Sequence, residues 1–363
     1  MWCHFPIEII NIGRNIYYYH VLVHISSRSP SHFNLPPRDL IKFWCFNIKK
    51  ACFPRKFAFW HRNYYLESMK HDTRKGIIYG ALAADSLSLG SHWIYNVDAI
   101  AKRIGRPRDL SDPLVKTFHP NRKRGEFTHY GDQTLWLLES IADKGGYNQE
   151  AFFQLWKEQM AIYDGYMDHA SKDTLSAGKA SSMDDLGGAG RTAALALLFT
   201  DPAALADASA SQASLTHDHP LVRDVARFFS RLLFHGDEPM EQALLATLGE
   251  EVWESGDLLP SHVKAGMETA GEETIAVIGR FGQMCSAERA LPGTIHLLIS
   301  YPDDYEEAMI SNVAAGGDSA ARGLLAGMIL GARSGFSSIP VRWTGALAAA
   351  DRIDDAVDRI ASL

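Results

Sequence analysis

The chain has 363 residues, 46% of them apolar, enough for a sizeable core and for either one large domain or two ordinary ones. Its formal net charge is −7, unevenly spread: residues 1–68 carry nine Lys/Arg against three Asp/Glu, and residues 69–363 carry 27 against 40. An acidic body argues against nucleic acid as a partner, and the longest apolar run, 324–332, falls far short of the roughly 20 residues a membrane helix needs.

The basic head holds aromatic clusters such as Tyr17-Tyr18-Tyr19 and Phe57-Ala58-Phe59-Trp60, three of the four cysteines and a single glycine, with no sustained helical or strand period. Glu8, Asn11, Arg14 and Asn15 interrupt the one stretch resembling a secretory signal, and the Tyr/Phe/His clusters do not suit a mitochondrial presequence. The expectation is that the working protein starts at or near Met69, residues 1–68 being a non-native or disordered extension. The alternative is a small basic domain for acidic partners. Only Cys285 remains in the body, so no disulfide forms there, which fits a reducing cytoplasm.

From residue 74 the pattern predicts helix after helix: 74–89, 134–143, 149–166, 192–199, 203–214, 221–233, 240–248, 261–269, 272–281, 305–314, 320–332 and 353–360. Pro202, Pro220, Pro239 and Pro260 stand where helices begin, since a first turn tolerates a missing N–H. Strand signals are nearly absent and no solenoid period is visible, so the expected fold is all-α, a compact multi-helix single domain spanning 69–363. Gly323, Gly327 and Gly331 recur every fourth residue, which predicts a central helix that another helix approaches closely.

Common catalytic signatures are missing: no G-x-x-x-x-G-K-[ST], G-x-S-x-G, H-E-x-x-H or strand-linked G-x-G-x-x-G. Two Gly-Asp turns do lead into apolar runs, Gly131-Asp132-Gln133-Thr134 and Gly316-Gly317-Asp318-Ser319. Each reads as a helix cap taken alone; together they could aim carboxylates and free N–H groups at one cation and a sugar-phosphate. Asp85 and His92 stand among small residues in a third such place, with Asp85 also readable as a local hydrogen-bond anchor. The loop 187–190 with Arg191 could cradle a phosphate or serve as a plain connector; His217-x-His219 could be half of a zinc site, but with no partner cluster and Pro220 following it reads rather as a turn into a helix.

These segments resemble the ADP-ribosylglycohydrolase family. Asp85-Ser86-Leu87 is similar to its Gly-Asp-Ala-Leu-Gly helix end, Gly131-Asp132-Gln133-Thr134 to its Thr-Asp-Asp-Thr, and Gly316-Gly317-Asp318-Ser319-Ala320-Ala321 to its Gly-Gly-Asp-Thr-Asp-Thr. The resemblance implies a compact all-α domain that holds the ribose of an ADP-ribosyl group with two Mg²⁺ ions. It also brings departures: Gly131, Gln133, Ala320, Ala321 and His92 stand where the family pattern has metal ligands. The phrases around His92, His129 and Ala290–His296 further resemble a divergent branch that includes the J1 crystallins.

The resemblance therefore implies Asp132, Gln133, Asp318 and His92 as catalytic groups, and a single divalent ion, Mg²⁺ or Mn²⁺, on Asp132, Asp318 and Thr134. Glu126, His129, Gly188, Gly190, Arg191, Gly317 and Arg322 are the implied substrate contacts, with Arg322 pairing Asp132 or a diphosphate. The implied function is hydrolysis of an ADP-ribosyl or related ribosyl bond, on an ADP-ribosylated protein or a small substrate, by a cytoplasmic monomer or small homo-oligomer with no membrane partner. The alternative is a degenerate ADP-ribose-binding or crystallin-like structural protein.

Overall fold

The computed structural model describes residues 2–8, 18–24, 55–115 and 118–363. The chain divides into two units, Met1–Tyr64 and Tyr65–Leu363. In the first, β1 (Trp2–Glu8) and β2 (Tyr18–His24) pair antiparallel, Trp2 opposite His24 and Glu8 opposite Tyr18. Both are rich in residues that favour extended backbone, such as Phe5, Ile7, Tyr19, Val21 and Val23. Most of the remaining expectation for residues 1–68 lies outside the described residues.

Sixteen α-helices are described. They are α1 (Arg55–Leu89), α2 (Val97–Arg103), α3 (His129–Lys144), α4 (Gln149–Ala161), α5 (His169–Ala177), α6 (Thr192–Leu195), α7 (Pro202–Ala213) and α8 (Pro220–Leu232). There follow α9 (Met240–Leu248), α10 (Leu258–Met267), α11 (Thr274–Phe281), α12 (Ala287–Ser300), α13 (Tyr305–Ala314), α14 (Ser319–Ser334), α15 (Val341–Thr344) and α16 (Ala350–Ala361). The second unit is all-α, as its periodicity predicts.

Pro202 and Pro220 open α7 and α8. Pro239 stands one place earlier, as the cap of α9, and Pro260 lies inside the first turn of α10. Other boundaries differ from expectation for local reasons. Helix α1 begins at Arg55, not 74, because residues 55–73 contain no Gly or Pro to stop it. Helix α3 begins at His129, not 134, because its cap is Thr128, whose Oγ1 accepts the Tyr130 N–H at 3.2 Å, so Gly131 and Asp132 lie inside the first turns. Helix α4 stops at Ala161, short of 166, and α6 is only one turn. Helix α12 escaped the pattern because Pro292 and Gly293 sit at its middle.

Helix α14 is the central element, with every residue from Ser319 to Gly331 buried. It crosses α1 where glycines meet glycines: a Cβ added at Gly327 would lie 2.2 Å from the Gly80 oxygen, and one at Gly331 2.0 Å from the Gly76 oxygen. Helices α12 and α13 pack against α14, α16 packs on α3, and α7 pairs with α8. The buried Tyr305 hydroxyl of α13 donates to the Gly80 oxygen at 2.7 Å, tying α13 to the same crossing.

Candidate functional site

The site is built on the start of α14. Gly316 and Gly317 take φ values of 71° and 65°, and a Cβ on Gly317 would sit 2.2 Å from the Gln283 oxygen, so the tight turn before the helix requires glycine. Asp318 then caps α14 by accepting the Ala321 N–H at 3.2 Å. The turn is clamped by the 91–95 segment: the Trp93 N–H donates to the Gly317 oxygen at 2.9 Å, and the Gly317 N–H donates to the Ile94 oxygen at 2.8 Å. Trp93 has a φ of 62°, the one described non-glycine residue with positive φ, a conformation that persists only where its surroundings enforce it.

That clamp delivers His92 to Asp318. The His92 Nε2 lies 2.9 Å from Asp318 Oδ1 and its Nδ1 lies 2.9 Å from the His119 Nε2, all three side chains being buried. A carboxylate can only accept, so the network assigns hydrogen to His92 Nε2 and makes Nδ1 the acceptor for His119. Burial lowers both imidazoles against the pull of Asp318 on His92, taking His119 to about 2, so both are neutral at ordinary pH. Burial by itself would raise Asp318, but the His92 hydrogen bond, the Ala321 N–H and the nearby Arg322 hold it below the usual carboxylate range.

The Tyr130 hydroxyl donates to Asp318 Oδ2 at 3.1 Å and links this chain of groups to the glycine loop. A Cβ at Gly187 would lie 2.1 Å from the Tyr130 ring, and one at Gly188 would lie 2.6 Å from the His217 ring, so the loop backbone rests directly on two side chains. Asp185, just before the loop, bridges to Ser286 and has Oδ2 3.9 Å from His217 Nε2. Burial pushes its carboxyl up to about 6, with Asp168 and Asp318 adding to the effect and Cys285 opposing it. Asp168 caps α5 through the Ser171 N–H at 2.5 Å and stands 3.1 Å from His129 Nε2. Burial would raise Asp168, yet His129 and Ser171 hold it well below the carboxylate range.

His129 stands among rings, with centroids 3.8 Å from Tyr130, 5.5 Å from Trp93 and 5.7 Å from Tyr166. Both His129 ring nitrogens and His217 Nε2 are buried without an aligned hydrogen-bond partner among the described residues. Tyr95, 49% exposed, and the part-buried Tyr166 and Cys285 lie within electrostatic reach of these carboxylates.

The residues singled out in the sequence divide among several places. Asp318, His92 and His129 meet around Tyr130, Gly317 holds the turn before Asp318, and Gly188 lies against His217 beside the Tyr130 ring's contact at Gly187. Arg322 is fully buried one turn along α14, its Nε donating to Asn312 Oδ1 at 2.9 Å and its Nη2 to the Gly316 oxygen at 2.6 Å; it pairs with neither Asp132 nor an open diphosphate position. Asp132 turns away: Oδ2 takes Arg122 Nη2 at 2.9 Å and the Tyr163 hydroxyl at 2.5 Å. With Glu126 it lines a separate cavity of about 450 Å³.

Gln133 and Arg191 belong to an interior network. Gln133 Oε1 accepts Trp156 Nε1 at 2.8 Å and Arg191 Nη1 at 2.9 Å, while Arg191 also donates to Gln212 Oε1 and Thr216 Oγ1, each at 2.7 Å. Arg191 is thus engaged in bracing the core and not presented to a phosphate. Gly190 is buried against Leu324, and the Thr134 hydroxyl donates to the Tyr130 oxygen at 2.9 Å within its own helix. Asp85 is the anchor foreseen as its plainer role, accepting the Thr128 N–H at 2.8 Å and hydroxyl at 2.5 Å, and Gly131 is required there because a Cβ would lie 2.5 Å from Asp85 Oδ2.

Tyr130, His119, Asp168, Asp185 and His217 complete the enclosure without having been read as site residues. Asp185 directly precedes the glycine run and Asp168 precedes a helix, both visible as plain cap or turn signals; His119 carries no local signal.

The donors present do not fit the divalent ion that the resemblance implies. Asp132 faces Arg122 and Tyr163, Asp318 faces His92 and Tyr130, and the Thr134 hydroxyl is committed to its own helix. Among the described residues no three His, Cys, Asp or Glu side chains are placed to share an ion, against the six or more oxygen ligands that hard divalent cations take.

Comparison with known proteins agrees with the geometry at the level of family and fold. A model of the ADP-ribosylglycohydrolase family matches residues 67–363. The chain is 23% identical to Crystallin J1B of Tripedalia cystophora over 307 residues, 75% of this chain and 91% of the crystallin. It is also similar to a solved structure described as an ADP-ribosylglycohydrolase-related protein complex, with a TM-score of 0.67 at 20% identity, covering 81% of this chain and 99% of the other.

Proposed function

Because the chain belongs to the ADP-ribosylglycohydrolase family, we propose that it hydrolyses an ADP-ribosyl or related ribosyl glycosidic bond at the enclosure around Tyr130. The observation that carries this reading is the clustering of Asp168, Asp185 and Asp318, all buried and all within electrostatic reach of Tyr130, with unlike surroundings for each. Cleavage at an anomeric carbon passes through an oxocarbenium-like state and needs one group to receive the proton of the attacking water and others to stabilise positive charge. Asp185, pushed up to about 6, suits the first task, and Asp168, held low, stays ionised for the second. Asp318 and Tyr130 present an oriented acceptor and hydroxyl to a sugar diol, with His92 and His119 fixing the acceptor.

No step in this reading runs through a metal. Release of ADP-ribose from arginine- and serine-linked ADP-ribosyl peptides, followed by chromatography, tests it. Asp185→Asn is expected to lower kcat by roughly 10²- to 10⁴-fold with a smaller change in KM. The reading fails if no peptide is cleaved and calorimetry detects no ADP-ribose binding. Binding without cleavage would favour the second reading, a protein that holds the ligand without turnover, to which the pairing of Asp132 with Arg122 and the likeness to a crystallin lend support.

A further inference from the structure

The three carboxylates around Tyr130 are unequally provided with partners. Asp318 has His92, Tyr130, the Ala321 N–H and nearby Arg322, and Asp168 has His129 and Ser171. Asp185 has no cation in salt-bridge contact among the described residues apart from His217 Nε2, 3.9 Å away, and that imidazole is lowered by burial to about 4 and so is neutral near pH 7. Arg191, which follows the same loop and would be the natural phosphate partner, is turned into the core and engaged by Gln133, Gln212 and Thr216.

Two aromatic side chains lie within electrostatic reach of this carboxylate: Tyr130, whose ring abuts the loop at Gly187, and Tyr166, whose ring meets that of Trp93 edge-on with centroids 4.6 Å apart. Ring faces beside a carboxylate attract an organic cation, whereas a phosphate requires N–H donors or guanidinium groups. The independent sign of a ligand is His217: its Nε2 is buried, unpartnered among the described residues and directed at Asp185, a state that costs free energy until a polar group meets it.

We propose that the unit taken in beside Asp185 is a phosphate-free ribosyl group whose C1′ carries a positively charged nitrogen, a cationic N-riboside. This rests on the hydrolase reading above and narrows its substrate. The chemistry balances without a proton donor: the water oxygen bonds to C1′ as the C1′–N bond breaks. The electron pair of that bond goes to the nitrogen and cancels its charge, and the proton of the water passes to Asp185 and then to solvent. Nothing is oxidised or reduced.

Calorimetry on the full chain with three probes of nearly one shape tests the proposal: nicotinamide riboside, a cation; its neutral dihydropyridine form; and nicotinamide mononucleotide, which adds a 5′-phosphate. The riboside is expected to bind at least about tenfold more tightly than either of the others. Asp185→Asn should bring its affinity down to that of the neutral form, and the wild-type comparison of the three probes stands even if that variant does not fold. Equal affinity for cation and neutral form, equal or tighter binding of the phosphorylated probe, or no binding of any probe overturns the proposal. Release of nicotinamide reads turnover separately. Binding of the cation without release leaves recognition standing and counts against hydrolysis, while cleavage of ADP-ribosyl peptides with no affinity for the riboside does the reverse.

Discussion

Asp85 shows how one side chain carries a pH dependence. It is buried under the first turn of α3 and, among the described residues, bonded only by Thr128; burial pushes its carboxyl up to about 7, with the Thr128 hydrogen bonds opposing and the nearby Asp132 adding to the rise. A folded-state pKa above the unfolded value means that the folded protein holds the proton more tightly. The contribution is complete below the unfolded pKa and is lost as pH rises through the folded one. Stability is therefore expected to fall by up to about 1.4 kcal/mol per pH unit between roughly pH 4 and the folded pKa. Urea denaturation across that range should show the slope in the wild type and its loss in Asp85→Asn; an unchanged slope in the variant would assign it to other groups. The same residue explains why Gly131 occupies a helix interior, since the space for a Cβ is already filled by its carboxylate.

At the scale of elements, the crossing of α1 and α14 is the feature on which the position of Asp318 depends. Gly327 and Gly331 face the backbone oxygens of Gly80 and Gly76 at distances that no side chain can share. Gly327→Val is expected to destabilise the protein by about 1–3 kcal/mol or more, since the helices must separate. Gly279 of α11 offers the opposite case: it lies in a helix with open space where a Cβ would go. There Gly→Ala should stabilise by roughly 0.5–1 kcal/mol. Opposite signs in the two denaturation midpoints would bear out the crossing, and equal effects would count against it. The helix period and the proline positions made most elements readable, but α12 was hidden by Pro292 and Gly293, which its packing tolerates.

For the whole molecule, the engagement of these carboxylates by the chain's own donors has a direct consequence. Asp132 with Arg122, and Asp318 with His92 and Arg322, leave no open set of hard ligands among the described residues. The thermal midpoint is expected to be the same within about 2 °C in millimolar Mg²⁺, Mn²⁺ or EDTA, because a specific ion that binds only the folded state would raise it. A rise that saturates with Mn²⁺ concentration would sink that expectation. No helix among the described residues is long and apolar enough to cross a membrane.

The all-α class, the family, the start of α14 at Asp318 and the close approach of its glycine face were all readable in the sequence. The family was read from the resemblance of its motifs; the others rest on local rules: helical period, capping chemistry and the absence of a side chain at a fixed spacing. The grouping of the site was not. Asp132 and Asp318 look equivalent as Gly-Asp turns, yet Arg122 and Tyr163 draw one outward while His92 and Tyr130 hold the other in the core. His119, Asp168, Asp185 and His217 come from loops and helix ends far apart in the chain, where no periodicity marks them. Direction and burial of a side chain depend on what packs against it from elsewhere, and only the tertiary structure brings those partners together.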